Sequence, residues 1–338
     1  MRKTEWVWKL LMLPALSLSF MCFIACDKTD YDLLDPSAAG VWTLYNKAKS
    51  NLPANEISDI KVDKQGNLWV GFSYNGAGVL SKGKWTFYTT SDGLIRNSVK
   101  ALEVCSNGNI IFGTSNGLST RTSTGQWTSF KDPTVTTMYI NDIRQLSDGS
   151  IWFGTDGQGF YEFDGTSYYQ YLFEGLENVY VVETDRFGNL WMGTDNGLIS
   201  RIGTEWSVWT TESGLLYNQV TALYFDNQDR MWIGYGTENV YEVSYYDYKK
   251  DLLSSVYLYT GLSGVEVHDI QQDRNGNYWF ALWWDGLIEY DGVKADSYKK
   301  YNGFCDDFNA IEQDNDGNLW FGTYESGLYK YTLPLGKH

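Results

Sequence analysis

The chain has 338 residues, 43% of them apolar, and a formal net charge of −16. This length and apolar content allow a large buried core and argue against a disordered protein. The acidic balance argues against nucleic acid as a partner, because binding to phosphates requires clustered Lys and Arg side chains. We attribute the acidity to solubility rather than to a specific role.

The first 25 residues have the pattern of a secretion signal. Basic residues open the chain, and an apolar stretch follows from Leu10 to Ala25. The stretch is short for a membrane span and typical of a signal peptide. It ends in Phe-Ile-Ala-Cys, which resembles the bacterial lipoprotein box, so we predict that Cys26 is acylated. Ordinary secretion with a free Cys26 and an uncleaved anchor are the alternatives.

One phrase recurs seven times after this segment, at spacings of 39 to 47 residues. Examples are Asp-Lys-Gln-Gly-Asn-Leu-Trp-Val-Gly from Asp63 and Asp-Asn-Asp-Gly-Asn-Leu-Trp-Phe-Gly from Asp314. Each unit contains an alternating strand, this apolar second strand, a third strand after a Gly turn, and a fourth strand with an aromatic pair. A period of about 40 residues with several short strands is typical of a β-propeller blade.

The two ends of the repeat region predict how the blades close. The last unit stops at its third strand, residues 327–332, whereas a fourth-strand pattern with Trp42 and Tyr45 occurs near the start. We therefore predict an all-β fold, a single seven-bladed β-propeller of four-stranded blades whose ring is closed by an N-terminal strand completing the last blade. An open solenoid is the alternative, but solenoids need capping units rather than complementary ends. The predicted organisation is a signal peptide at 1–25, a tether at 26–39, the propeller at 40–334 and a tail at 335–338.

The phrase Asp-x-x-Gly-Asn-Leu-Trp-x-Gly-Thr, with a following Gly-Leu and a later Trp-x-x-Tyr, resembles the two-component regulator propeller repeat. The resemblance covers all seven units, from about Gly40 to Leu333. It implies kinship with the periplasmic propellers of hybrid sensor kinases from Bacteroidetes, which are associated with sensing oligosaccharides. Those sensors continue into further domains and a kinase. We expect this chain to be a stand-alone lipoprotein that does not itself transfer phosphate.

The sequence offers little for catalysis. His268 and His338 are its two histidines, and no Gly-x-Ser-x-Gly motif is present. A His-rich metal centre is excluded by count. We therefore predict no catalytic residue, no metal and no cofactor. Streptogramin lyase is a seven-bladed propeller with a related repeat, so a lyase is the specific enzymatic alternative. That family uses His with acidic residues around a magnesium ion, which a single interior His matches poorly.

The candidate binding residues lie where the units depart from the repeat. Most turns after the second strand are short and polar, whereas the sixth unit has Trp283-Trp284-Asp285. Aromatic rings beside acidic side chains suit carbohydrates, whose C–H faces stack on rings while their hydroxyls form hydrogen bonds. The alternative is that these tryptophans pack against a neighbouring blade. The predicted ligand-binding residues, all placed at the channel mouth or beside it, are Trp283, Trp284, Asp285, Tyr74, Tyr324, His268, Asp156 and Asp195.

The sequence thus predicts a non-catalytic binding module in the cell envelope, facing the periplasm or the exterior. We expect it to bind an oligosaccharide or another small polar ligand at the channel mouth, and to contact the membrane through its lipid alone. A scaffold that binds another envelope protein and a propeller lyase are the alternatives.

Overall fold

The computed structural model describes residues 40–130, 138–236, 242–258, 266–299, 303–305 and 307–333. The predicted signal peptide, tether and tail lie outside these residues, and so does Cys26. The helical elements in the described ranges are α1 (Lys47–Ser50) and a 3-10 turn (Thr211–Ser213). No helix among these residues has the length and apolar character needed to cross a membrane.

The first four blades each consist of four consecutive strands. Blade one has β2 (Ile57–Val62), β3 (Leu68–Phe72), β4 (Gly76–Ser81) and β5 (Lys84–Tyr88). Blade two has β6 (Val99–Val104), β7 (Ile110–Thr114), β8 (Gly117–Arg121) and β9 (Trp127–Phe130). Blade three has β10 (Ile140–Gln145), β11 (Ile151–Thr155), β12 (Phe160–Phe163) and β13 (Tyr168–Tyr171). Blade four has β14 (Val179–Thr184), β15 (Leu190–Thr194), β16 (Gly197–Ile202) and β17 (Glu205–Trp209).

The remaining blades include the one that joins the two ends of the repeat region. Blade five has β18 (Val220–Phe225), β19 (Arg230–Tyr235), β20 (Glu242–Asp247) and β21 (Leu252–Tyr257). Blade six has β22 (Glu266–Gln272), β23 (Tyr278–Trp283), β24 (Gly286–Tyr290) and β25 (Ala295–Tyr298). Blade seven has β26 (Phe308–Gln313), β27 (Leu319–Thr323), β28 (Leu328–Thr332) and β1 (Val41–Tyr45).

The predicted closure of the ring is confirmed by the pairing of β1. This strand runs antiparallel to β28, with Val41 opposite Thr332 and Tyr45 opposite Leu328. The ring of Trp42 stacks on Tyr331 with centroids 4.5 Å apart and meets Phe304 edge-on at 4.8 Å. One strand from the start of the chain thus covers the open edge of the last blade. All seven sheets have four antiparallel strands, as predicted.

The recurring phrase is explained by a turn that holds the central tryptophan. In blade one, Asp63 Oδ1 accepts the backbone N–H groups of Gln65 and Asn67, at 3.0 and 2.8 Å. Its other oxygen accepts the indole N–H of Trp69 at 2.9 Å. In four other blades the indole N–H of the central tryptophan donates to the equivalent carboxylate, which belongs to Asp185, Asp226, Asp273 or Asp314. Each buried indole N–H therefore has its acceptor, which explains why the Asp and the Trp recur six residues apart.

Candidate functional site

A bulge in the first strand of every blade shapes the channel. In β2, Ile57 pairs with Phe72 and Asp59 pairs with Gly71, so Ser58 is left out of the ladder. The first strands of the other six blades shift register at the equivalent place. Such bulges re-aim side chains, and Ser58 and Asp59 both line the channel although they are adjacent. The bulges therefore create rings of channel-lining side chains close to the end where the first strands begin, which we call the channel mouth.

The bulged residues divide into two groups by their hydrogen bonds. Four of them donate to a backbone carbonyl at the start of the next blade's first strand, at 2.6 to 2.9 Å. These four are Ser58, Asn141, Thr221 and Asn309. Lys100, Tyr180 and His268 occupy the same position in their blades and make no such bond within the described residues. These three side chains line the cavity.

Deeper in the channel, charged side chains bond the blades to one another. Asp269 accepts the N–H of Ile311 in the next blade at 2.7 Å, and Asp59 and Asp142 make the equivalent bonds. Arg144 pairs with Glu183 of the next blade at 2.7 Å. Burial raises the pKa of Asp269 to about 7, although Lys61 opposes this shift. The three aspartates and Arg144 thus join neighbouring blades.

One side of the channel mouth is an aromatic wall built by blades six, seven and one. Trp283 stacks on His268, with centroids 5.3 Å apart and an interplanar angle of 20°. The same indole meets Tyr324 edge-on at 5.5 Å and Trp284 at 5.7 Å. Tyr74 continues the wall, since its proximity raises the pKa of Tyr324. We call these four residues, Tyr74, Trp283, Trp284 and Tyr324, the aromatic wall.

Trp284 has an unusual backbone conformation for its residue type. Its φ is +69°, in the left-handed region that bulky residues rarely adopt, and 69% of its surface is exposed. Its N–H donates to Asp307 Oδ1 at 3.2 Å, which helps to hold the turn. Strained conformations of this kind cluster at functional sites, so this turn is a candidate for ligand contact.

The opposite side of the mouth carries hydroxyl, amide and ammonium groups. Tyr139, Tyr180 and Lys100 line this side of a cavity of about 750 Å³. The surrounding protein lowers the pKa of the Lys100 ammonium, although Asp156 and Glu266 oppose the shift. Burial raises the pKa of the Tyr180 hydroxyl, which therefore stays protonated and can donate to a ligand. A ligand that spans the mouth would meet aromatic faces on one side and polar groups on the other.

The structure brings together most of the residues that the sequence singled out. Tyr74, His268, Trp283 and Tyr324 line the cavity, and Trp284 adjoins it through its contact with Trp283. Asp156 and Asp195 lie on the rim, where their N–H groups bond to the carbonyls of residues 139 and 178. Asp195 also accepts the side-chain amide of Asn178 at 2.7 Å.

Asp285 is placed elsewhere. Its side chain is buried, with a residue exposure of 8%, and its Oδ1 lies 2.8 Å from the ammonium of buried Lys299. The turn that exposes Trp284 directs the next side chain into the protein, and Asp285 is not part of the cavity lining. This position corrects the expectation that Asp285 would face the mouth, which rested only on its adjacency to Trp284.

The cavity is also lined by four residues that were not predicted from the sequence, Lys100, Tyr139, Tyr180 and Glu266. A signal for two of them was present. Aligning the first strands places Lys100 and Tyr180 at the position where Ser, Asn or Thr bonds to the next blade. Neither a lysine nor a tyrosine suits that short bond, so both departures could have been read as candidates for ligand contact.

His268 has one acidic neighbour at the mouth. Its Nε2 lies 3.4 Å from Glu266, and its Nδ1 lies 3.3 Å from the side-chain oxygen of Asn309. Across the described ranges, no three His, Cys, Asp or Glu side chains are grouped so that they could hold a metal ion.

Comparison with known proteins identifies the repeat. The sequence profile of the two-component regulator propeller matches residues 51–74, 214–237, 261–284 and 302–325. These segments cover the start of blades one, five, six and seven, including the turns that carry Tyr74, Trp284 and Tyr324. No curated protein matches the chain.

Solved structures that share the architecture include the following three. The extracellular domain of a hybrid two-component system from B. thetaiotaomicron has a TM-score of 0.74 at 21% identity, over 88% of this chain and 41% of that chain. An inactive form of virginiamycin B lyase from Staphylococcus aureus, with quinupristin, has a TM-score of 0.70 at 16% identity, over 87% of this chain and 99% of the lyase. YCF48 bound to D1 peptide has a TM-score of 0.66 at 15% identity, over 89% of this chain and 98% of YCF48. At these identities the likeness shows the fold alone, and this chain spans less than half of the B. thetaiotaomicron domain.

Proposed function

Because this chain is a propeller of the two-component regulator repeat family, we propose that it is a ligand-binding module of the cell envelope. Its ligand is an oligosaccharide held across the channel mouth. The observation that carries this proposal is the aromatic wall, whose exposed and strained Trp284 adjoins a cavity with polar groups on its opposite side. Sugar rings present apolar C–H faces and hydroxyl edges, which match these two sides.

The cavity size also supports a ligand of this class. A volume of about 750 Å³ lies within the usual range for small-molecule sites. An oligosaccharide longer than the cavity would extend over the rim, where exposed Asp156 can accept hydrogen bonds from hydroxyls. His268 lies beneath Trp283, stacked on its ring, and orients it.

The proposal is tested with a panel of oligosaccharides presented to the full-length chain in detergent. We expect a subset to bind equally to the wild-type chain and to Phe187→Ala, and more weakly to Trp283→Ala. Phe187 is a suitable control because it is 68% exposed and lies in the turn after β14, at the opposite end of the blades. If each oligosaccharide bound equally well to all three chains, the proposed site would be contradicted.

We propose binding without turnover. Chromatography of each bound oligosaccharide after prolonged incubation checks this part, and intact ligand is the expected result. A shortened or unsaturated product that requires His268 would instead support a lyase. Failure of the whole panel, together with capture of a defined envelope protein through the aromatic wall, would support a scaffold.

We further propose that Cys26 carries the lipid that anchors the module. This residue lies outside the described part of the chain, and the proposal rests on the apolar stretch that ends in Ile24-Ala25-Cys26. Labelling of cells with a fatty-acid analogue should tag the wild-type chain and Cys22→Ala but not Cys26→Ala. Equal labelling of all three would show that the lipid is elsewhere or absent.

A further inference from the structure

Lys100 departs from the pattern of the bulged residues, because it lacks the hydrogen bond to the next blade that four of them form. Ser, Asn or Thr at this position in four blades donates to the neighbouring blade, whereas Lys100 on β6 makes no such bond to blade three. Its side chain lines the mouth and is exposed there. Among the described residues, no carboxylate lies within ion-pairing distance of its ammonium.

The other cations of the channel are already engaged. Arg144 pairs with Glu183 at 2.7 Å and with Asp142 at 3.3 Å, and Lys61 lies 3.9 Å from Asp59. Within the described residues, the cavity lining contains three cations, Lys61, Lys100 and Arg144, and Lys100 is the one without a carboxylate partner.

Two carboxylates near the mouth influence Lys100 without pairing with it. Asp156 and Glu266 both favour its charged form, while the surrounding protein disfavours that form more strongly. Glu266 instead approaches His268 Nε2 at 3.4 Å. An ammonium in this setting is stabilised when a ligand supplies an anionic group, because charge-assisted hydrogen bonds are stronger than neutral ones.

We propose that the oligosaccharide bound at the mouth carries an acidic group, a uronate carboxylate or a sulfate ester, and that Lys100 recognises it. This inference rests on the proposed oligosaccharide-binding function. The neutral face of a sugar ring would lie on Trp283 while its acidic group reaches Lys100. The chain as a whole is strongly acidic, with a net charge of −16, so an anionic ligand needs such a local cation to offset the general repulsion.

The test compares matched acidic and neutral oligosaccharides on the full-length chain in detergent. The probes are tetragalacturonate and its fully methyl-esterified form, and a sulfated chondroitin tetrasaccharide and its desulfated form, within a wider array of neutral, uronate and sulfated glycans. We expect acidic members to bind more tightly than their neutral counterparts. Lys100→Met should weaken acidic ligands about tenfold and neutral ligands clearly less, and Lys100→Arg should retain most of the affinity.

Two controls separate charge recognition from a change in the fold. Lys84→Met removes an exposed lysine from the outer strand β5 and should bind like the wild-type chain. The difference in affinity between the wild-type chain and Lys100→Met should narrow as salt is raised, because screening weakens the local charge contact. The melting temperature of Lys100→Met should stay close to that of the wild-type chain.

The outcomes distinguish this inference from the proposed function. Tight binding of neutral glycans that Lys100→Met does not alter would overturn the acidic ligand and leave the proposed function standing. Absence of binding to any glycan of either kind would overturn both. Preference for the uronate or for the sulfate probes, lost in Lys100→Met, would support the inference and identify which acidic group is recognised.

Discussion

At the scale of single residues, Trp284 combines a strained backbone conformation with an exposed side chain. A left-handed backbone conformation costs a bulky residue about 1 kcal/mol, and the exposed indole of Trp284 recovers little of this by burial. Glycine adopts this conformation freely. Glycine would suit this position better for the stability of the fold. The presence of a tryptophan is therefore more easily explained by what its side chain contacts.

Trp284→Gly should therefore separate binding from stability. We expect its melting temperature to equal or exceed that of the wild-type chain, because backbone strain is relieved and no buried ring is lost. Affinity for the bound oligosaccharide should fall, by about 1 kcal/mol or more, because one face of the aromatic wall is gone. Thermal unfolding and calorimetric titration of both chains check this prediction. A variant that melts early and binds normally would mean that Trp284 serves the fold.

The carboxylates inside the channel predict a dependence of stability on pH. Burial raises the pKa of Asp269 and of Glu103 to about 7, above the values near 4 that such groups have in an unfolded chain. Between these values the folded chain holds protons that the unfolded chain has released. The free energy of unfolding should therefore be highest below about pH 4 for these groups and decrease as the pH rises to about 7.

Asp269→Asn should weaken this dependence. The amide does not titrate. The free energy of unfolding of the variant should therefore decrease less than that of the wild-type chain between about pH 5 and pH 8. The variant also loses an acceptor for the N–H of Ile270 or Ile311, so the slope with pH and not the absolute stability is the readout. Asp164→Asn is the matched control, because the pKa of Asp164 is held at about 2, outside this window. Equal slopes in all chains would contradict the role assigned to Asp269.

At the scale of elements, β1 completes blade seven. Trp42 contacts the rings of Trp279, Phe304 and Tyr331, so it joins blades six and seven as well as closing the sheet. The packing of a strand from one end of the chain against strands from the other end links the two ends of the ring. The stability of the propeller should therefore depend on this strand.

Trp42→Ala should lower the free energy of unfolding by about 3 kcal/mol, the low end for loss of a buried aromatic ring, since Trp42 is half-buried. Val41→Ala on the same strand is the control, because Val41 is 65% exposed and should contribute little. Denaturant unfolding followed by circular dichroism gives both values. Equal unfolding midpoints for Trp42→Ala and the wild-type chain would show that β1 is not needed to close the ring.

The strands and their closure could be predicted from the sequence because the same pattern occurs seven times. A single blade could be misread, but the phrase from Asp63 and its copies confirm one another, and Trp42 and Tyr45 supply the missing strand. The bulges were not predicted, because they depend on the register between two strands. Alignment of the first strands marks Lys100 and Tyr180 as departures from Ser, Asn and Thr, but only the bulge shows that they reach the channel.

The direction of a side chain in a tight turn could not be predicted from the sequence either. Trp284 and Asp285 are adjacent, yet one is 69% exposed and the other is buried against Lys299. This difference depends on the left-handed backbone of Trp284 and on the hydrogen bond from its N–H to Asp307. Neither feature has a sequence pattern in the repeat.

At the scale of the whole molecule, the ring separates stability from binding. The second strands are buried in every blade and form the core, and in five blades an Asp in the preceding turn holds the central tryptophan. The turns at the mouth differ from blade to blade, and the aromatic ones are contributed by blades six, seven and one. A rigid ring with variable turns can change its ligand without a change of fold.

The central claim is that an oligosaccharide binds against the aromatic wall at the channel mouth. Calorimetric titration of the wild-type chain and of Trp283→Ala, with the tightest oligosaccharide of the panel, tests it most directly. We expect affinity to fall by about 1–3 kcal/mol in Trp283→Ala, the value of one aromatic side chain, independently of any change in melting temperature. Unchanged affinity together with a lowered melting temperature would contradict it, because Trp283 would then be a packing residue and the ligand would bind elsewhere.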